Sequence, residues 1–230
     1  MVWGDEGVYA VVRSPDPLAK FGEPEAGKWG YPDAEMNWTW PGHEGKPVTV
    51  TAFTRADTVR LRVNDRDYGV KSVGRDTKFM AVWEGVSYEP GVLTVTAYKG
   101  PIEASQWTLR TAGPAKTLRL VADRTKLAAD GQDLAFVTVE VVDEASMRHP
   151  SAAVPVRLEV LGPGTLIGFG SGNPKSAESF QQPVRSTFEG RALAVVRTTS
   201  KPGTVRIRAS AEGLAPAELT LETKVDSTKR

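Results

Sequence analysis

The feature that most constrains this chain is the near absence of a helical hydrophobic period. Its 22 glycines and 16 prolines fall at close intervals between short runs that alternate apolar and polar residues. An amphipathic helix needs apolar positions at i, i+3, i+4 and i+7 over ten or more residues, whereas strict alternation marks a half-buried strand. From Pro47 the runs are "PVTVTAFT", "DTVRLRV", "NDRDYGVKSV", "KFMAVWEGVSYEPG", "VLTVTAYKG" and "IEASQWTLRT". In "TVRLRV", Val59, Leu61 and Val63 share one face and Arg60 and Arg62 the other. "VNDRDYG" is a hairpin turn signal, since Asn and Asp tolerate the left-handed backbone that such turns require. In "YEPGVL", Pro presets φ and Gly supplies φ > 0. Strands and turns at this density predict a β-sandwich.

The small, Gly-Pro stretch "TAGPAK", Thr111 to Lys116, interrupts the pattern and reads as a linker. A second strand set follows: "TLRLVAD", "LAFVTVEVVD", "VPVRLEVLG", "ALAVVRTT", "GTVRIRASA" and "PAELTLET". In "AFVTVEVVD", Val137, Val139 and Val141 form the predicted core face, and Phe136, Thr138, Glu140 and Val142 the opposite one. The predicted fold class is all-β, with two immunoglobulin-like β-sandwich domains in tandem. Residues 1–45 form an N-terminal segment. Residues 46–112 form the first sandwich, which draws on part of that segment. Residues 116–224 form the second, and 225–230 a polar tail expected to fray. Within the first segment "GVYAVVR" reads as a strand. "SPDPLAKFGEPEAGKWGYPD" lacks a core pattern, and so long a stretch is expected to lie across something else.

Composition narrows the partners. Net charge is +1, with 25% charged and 40% hydrophobic residues. No concentrated basic patch favours nucleic acid or a membrane surface, and no apolar run is long enough to span a bilayer. "MVWGDEGVYAVVR" has neither the basic nor the apolar region of a signal peptide. The absence of cysteine excludes disulfides and thiolate metal sites. It suits a reducing compartment and equally a cysteine-free exported bacterial protein, so cytoplasmic, periplasmic and secreted placements all stay open.

Candidate chemistry is sparse. The two histidines, His43 and His149, lie near no GxSxG elbow. "GFGSGNP", Gly168 to Pro174, precedes no helix that would cradle a phosphate, so it is expected to be a glycine-rich inter-strand loop. Asp123, Asp130 and Asp133 are hard oxygen donors but lack the spacing of a calcium loop, and "ADGQD" reads as a turn. No metal or cofactor is expected. The informative group is aromatic: Trp29, Tyr31, Trp38 and Trp40 fall within twelve residues, among Asp33, Glu35, Asn37 and His43. Stacked rings beside amides and carboxylates suit carbohydrate, while the same rings equally suit packing, because a Trp dominates whatever core or interface it enters. Trp83 and Trp107, inside alternating strands, are expected in the core.

The stretch "NWTWPGHEGKPVTVTAFTRADTVRLRVNDRDYG" resembles the C-terminal region of glycoside hydrolase family 2 enzymes of the β-galactosidase-like group. The resemblance runs through Trp38, Trp40, Pro41, Gly42, Glu44, Gly45 and Lys46, then Asp57, Val59, Leu61, Val63, Asn64 and Gly69. "VSYEPGVLTVTAY", "LRTAGPAKTLRLVADRTKLAADGQDLAFVTVEVVD" and "GPGTLIGFGSGNPKSAESF" resemble that region too, in order along the chain. The resemblance implies that catalysis in such an enzyme belongs to a (β/α)₈ barrel carrying two glutamates. This chain lacks the βα alternation and the length for a barrel, so no catalytic residue carries over. "VWGDEGVYAVVRSP" resembles the exit from the last barrel helix. The group includes β-glucuronidase-like members, with galactoside specificity the leading choice.

The implied function is a non-catalytic accessory region that braces the barrel of a parent glycosidase and borders its substrate cleft. The parent's barrel is the expected partner. The alternative is a stand-alone carbohydrate-binding module using the Trp29–Trp40 loop. On either reading Trp29, Tyr31, Trp38, Trp40 and His43 are the site residues, for domain seating or for sugar. Trp83 is expected buried and Trp38 partly exposed.

Overall fold

The computed structural model describes residues 7–15 and 34–225, and among them every regular element is a strand. The turn-rich stretch through residues 16–33, with Trp29 and Tyr31, lies outside the described residues, as does the end of the polar tail. The chain divides into two compact units between Thr111 and Ala112.

The first unit has two sheets over one core. Strands β1 (Val8–Val12), β2 (Pro47–Thr54) and β5 (Met80–Ser87) form one, in the order β1-β2-β5. Strands β4 (Arg66–Ser72), β3 (Thr58–Val63), β6 (Val92–Lys99) and β7 (Ile102–Arg110) form the other, in that order. Every pairing is antiparallel. The N-terminal "GVYAVVR" supplies β1, with Val8 opposite Thr54 and Val12 opposite Val50. Period two decides which side chains enter: Val59, Leu61 and Val63 are buried, while Arg60 and Arg62 are exposed. Trp83 is buried, and Trp107 is partly buried against the same core.

Two turns carry specific backbone demands. Asn64, between β3 and β4, sits at φ 50, a region Asn tolerates better than most residues. Its side chain then crosses to the Glu89–Gly91 turn: Nδ2 donates to the Pro90 carbonyl at 3.2 Å, and Oδ1 accepts from the Val92 amide at 2.8 Å. Gly91 sits at φ 136, and a Cβ there would meet Asn64 Oδ1 at 2.0 Å. Only glycine fits both the dihedral and the space.

The second unit comprises β8 (Thr117–Ala122), β9 (Lys126–Ala128), β10 (Leu134–Val142), β11 (Pro155–Leu161), β12 (Gly164–Gly170), β13 (Val184–Ser186), β14 (Arg191–Thr198), β15 (Gly203–Ala211) and β16 (Leu214–Lys224). They form one path, β12-β14-β10-β8-β16-β15-β11-β13, with β9 beside β16. The path folds over a single core that takes residues from both its halves. Its two parallel pairings are β8 and β9 against β16. Val137, Val139 and Val141 fill the core, as the alternation predicts. The opposite face of β10 is less wet than alternation implies. Phe136 is 42% exposed, but Val142 is buried, and so is Glu140, over which Arg119 and Arg191 close. The residues after the division are tied down as well. The Gly113 amide donates to Asp143 Oδ2 at 2.7 Å and the Lys116 amide to the Val142 carbonyl at 2.9 Å.

Candidate functional site

Of the aromatic residues singled out in the sequence, Trp38 and Trp40 are described, and they meet in one cluster of the first unit. Trp38 and Trp40 lie two residues apart in the segment Asn37–Trp40, which belongs to no strand. Tyr88, at the end of the "EGVSY" run, joins them. The ring centroids of Trp38 and Trp40 lie 5.9 Å apart, those of Trp38 and Tyr88 5.1 Å and those of Trp40 and Tyr88 5.5 Å, all edge-to-face at 72–75°. Edge-to-face contact sets the positive edge of one ring on the negative face of the next. The polar atoms are satisfied too. Trp38 Nε1 donates to the Glu89 carbonyl at 3.0 Å, and the Trp40 amide donates to the Tyr88 hydroxyl at 3.0 Å. Asn37 Oδ1 accepts from the Thr39 amide at 2.7 Å.

This corrects the expectation that Trp38 is partly exposed. It is 1% exposed and Trp40 is 8%. The cover assigned to a partner domain comes from within the unit, from Tyr88 and the rest of the first unit's core. Neither ring has an open face on which a sugar can stack. Sequence reasoning missed Tyr88, whose only visible role was to precede the Glu89-Pro90-Gly91 turn.

His43 is not part of the cluster. It sits in the turn that follows it, half-buried, with Nδ1 3.3 Å from Lys46 Nζ. Its amide donates to the Trp40 carbonyl at 3.1 Å, and its carbonyl accepts from Lys46 at 3.0 Å. The turn is closed by Gly42 at φ 81 and Gly45 at φ 78, which demand glycine. Glu44 Oε1 accepts from the Gly42 amide.

The remaining candidates serve local structure. Asp123 Oδ1 accepts from the Arg124 and Phe136 amides, Asp130 Oδ1 from Gln132 and Asp133, and Asp133 from Ala128 and Leu134. No group of three potential metal ligands converges among the described residues. "GFGSGNP" is only partly a loop: Gly168, Phe169 and Gly170 end strand β12, with Phe169 buried in the core.

Against known proteins, residues 118–220 match glycoside hydrolase family 2 C-terminal domain 5, and residues 45–103 match a domain of unknown function (DUF4982). A β-galactosidase of Bacteroides ovatus is 38% identical over 80% of this chain, and a β-glucuronidase of Formosa agariphila is 26% identical over 83%. The chain spans 21% and 19% of the length of those two relatives. A solved glycosyl hydrolase family 2 member from Bacteroides cellulosilyticus aligns over 94% of this chain and 28% of its own, at 34% identity and a TM-score of 0.89. With both units matched in order, the chain belongs to the all-β C-terminal region of glycoside hydrolase family 2 enzymes of the β-galactosidase-like group.

Proposed function

We propose that the chain is the non-catalytic accessory region of a β-galactosidase-like glycosidase and that it braces the parent's catalytic barrel. The observation that carries this reading is the coverage: a family 2 structure follows this chain over nearly its whole length while the chain accounts for only 28% of that structure. Galactosides are the proposed substrates of the parent because the relative at 38% identity is a β-galactosidase. Both units are read as immunoglobulin-like sandwiches. In the first, three- and four-stranded sheets over one core fit the seven-strand count of such domains.

In this reading Trp38 and Trp40 do the seating from inside. Their burial holds the segment from Asn37 to Trp40 on the first unit, so the chain entering from the barrel side arrives at a fixed place. Trp29 and Tyr31, upstream, are assigned to the barrel contact itself. The turn carrying His43 is assigned to the border of the substrate cleft. The burial of both rings weighs against the alternative module that captures sugar through the Trp29–Trp40 loop.

The test uses the purified chain and a separately expressed family 2 barrel. The chain alone is expected to leave an aryl β-galactoside at the buffer rate and to associate with the barrel by titration calorimetry. Turnover that disappears when a carboxylate of this chain is replaced would overturn the non-catalytic assignment. No association with the barrel would overturn the bracing role.

A further inference from the structure

A different surface, on the second unit, carries an open cavity. The outward face of the β12-β14-β10-β8 sheet floors this cavity, of about 880 Å³. The floor is apolar, with Leu193 and Val121 at 43% and 48% exposure. Phe180 stands on the same cavity, 63% exposed. An exposed ring on a loop is ordinarily free to turn, and this one is held. It lies against Gly170, where any Cβ would come within 2.6 Å of the ring. Its carbonyl accepts from the Phe169 amide at 2.7 Å. The guanidinium of Arg185 lies 4.9 Å from the ring centroid. Arg185 is itself 1% exposed and fixed by the Phe169 carbonyl at 3.0 Å, the Glu178 carbonyl at 3.0 Å and the Glu178 carboxylate at 3.2 Å.

Across the cavity the lining turns polar. The Glu140 carboxylate accepts from Arg119 Nε at 2.9 Å and from Arg191 Nε at 2.8 Å. The Arg191 side chain is 58% exposed, so this ion pair reaches the solvent side of the cavity. A ligand here must therefore offer both an apolar face and hydroxyl-like groups. A purely apolar ligand would desolvate the ionic groups without repaying them. A phosphate would gain nothing from the ring, and the Arg191 charge it would seek is already paired with Glu140. A pyranose offers C–H bonds to an aromatic face and hydroxyls to a guanidinium.

We propose that this cavity is a saccharide-binding site, with Phe180 as the stacking platform and Arg191, oriented by the buried Glu140, as the hydroxyl partner. The choice of saccharide rests in part on the proposed glycosidase parent, but the two readings are measured separately: barrel association tests the first and sugar titration tests this one. The experiment titrates ¹⁵N-labelled chain with lactose, β-1,4-galactotetraose and glucuronic acid into the tens of millimolar, following amide shifts. The expected result is saturable shifts at Gly170, Phe180 and Arg191 for at least one sugar. Phe180→Ala is expected to weaken binding about tenfold or more, the scale of one lost aromatic contact, with Phe180→Trp restoring it. Gly170→Ala displaces the ring without removing it and is expected to weaken binding in the wild-type background but not in Phe180→Ala. A flat titration with all three sugars, or equal affinity in Phe180→Ala, would overturn the proposal. So would a flat titration accompanied by weaker barrel association in Phe180→Ala, which would assign the cavity to a protein partner.

Discussion

The hydroxyl of Thr111 donates to the carbonyl of Trp38 at 2.7 Å, across 73 residues of chain. The same oxygen accepts from the Gly91 amide at 3.0 Å, and the Thr111 amide donates to the Gly91 carbonyl at 2.9 Å. The last residue of the first unit thus ties the aromatic segment to the turn that follows Tyr88. Thr111→Val keeps the shape and removes the hydroxyl, leaving a carbonyl and an amide without their partner. The expected loss is roughly 1–3 kcal/mol, read by urea unfolding followed by tryptophan fluorescence.

At Gly91 the demand is steric as well as conformational. A methyl group there would strike Asn64 Oδ1, at a φ of 136 that side chains avoid. Gly91→Ala is expected to destabilise the first unit by about 2 kcal/mol or more, combining a clash with backbone strain. Asn64→Ala in that background should recover the clash and leave the strain. Full recovery in the double variant would show that the dihedral costs nothing.

How much of this was legible depends on the range of the contact. The buried faces of β3 and β10 follow from alternation, because Val59, Leu61, Val137 and Val139 obey a local period. The burial of Trp38 does not. It depends on Tyr88, which lies 48 residues beyond Trp40 and carries no periodic mark. Arg185 was invisible for a related reason. In "PVRS" an arginine reads as solvated, yet here it is 1% exposed because the Phe169 and Glu178 carbonyls accept its hydrogen bonds. Without that anchor Phe180 is only an apolar residue in a polar loop.

The second unit carries a pH signature. Burial pushes the Glu140 carboxyl up, but hydrogen bonds and charge from Arg119 and Arg191 outweigh it, and the group sits below the ordinary glutamate value of 4.5. Asp143 is also held low: burial raises it, and the amides of Met147 and Gly113 outweigh that. A carboxyl with a depressed folded value binds fewer protons folded than unfolded. Its stabilisation is complete above the unfolded value and is lost as pH falls through the folded one. Urea stability of the second unit is therefore expected to decline below about pH 4.5. Glu140→Gln should flatten part of that decline, with the remainder from Asp143 and from Glu178, where burial raises the carboxyl but hydrogen bonds from Ser176 and Ser186 outweigh it, and should cost roughly 1–3 kcal/mol at neutral pH through the lost charged hydrogen bonds. An unchanged pH slope in Glu140→Gln would rule out the carboxylate as a contributor.

The division between Thr111 and Ala112 makes the aromatic cluster testable on its own. All six tryptophans and five tyrosines lie before Ala112, so tryptophan fluorescence reads only the first unit. Far-ultraviolet circular dichroism reads both. Trp38 is nearly fully buried, contacts Trp40 and Tyr88 edge-on, and donates from its indole to the Glu89 carbonyl. Trp38→Ala removes a large side chain from a closed site and leaves that carbonyl without its indole donor. The expected cost is about 3–5 kcal/mol, the range for large-to-small core changes, and it should fall on the first unit alone. In urea the fluorescence midpoint should drop sharply. The dichroism trace should split, with a second transition that stays where the separately expressed 112–230 segment unfolds. If Trp38 served mainly as a docking surface, its replacement would leave the isolated chain's midpoint unchanged and weaken only barrel association. A single transition that shifts as a whole would instead show that the two units unfold together.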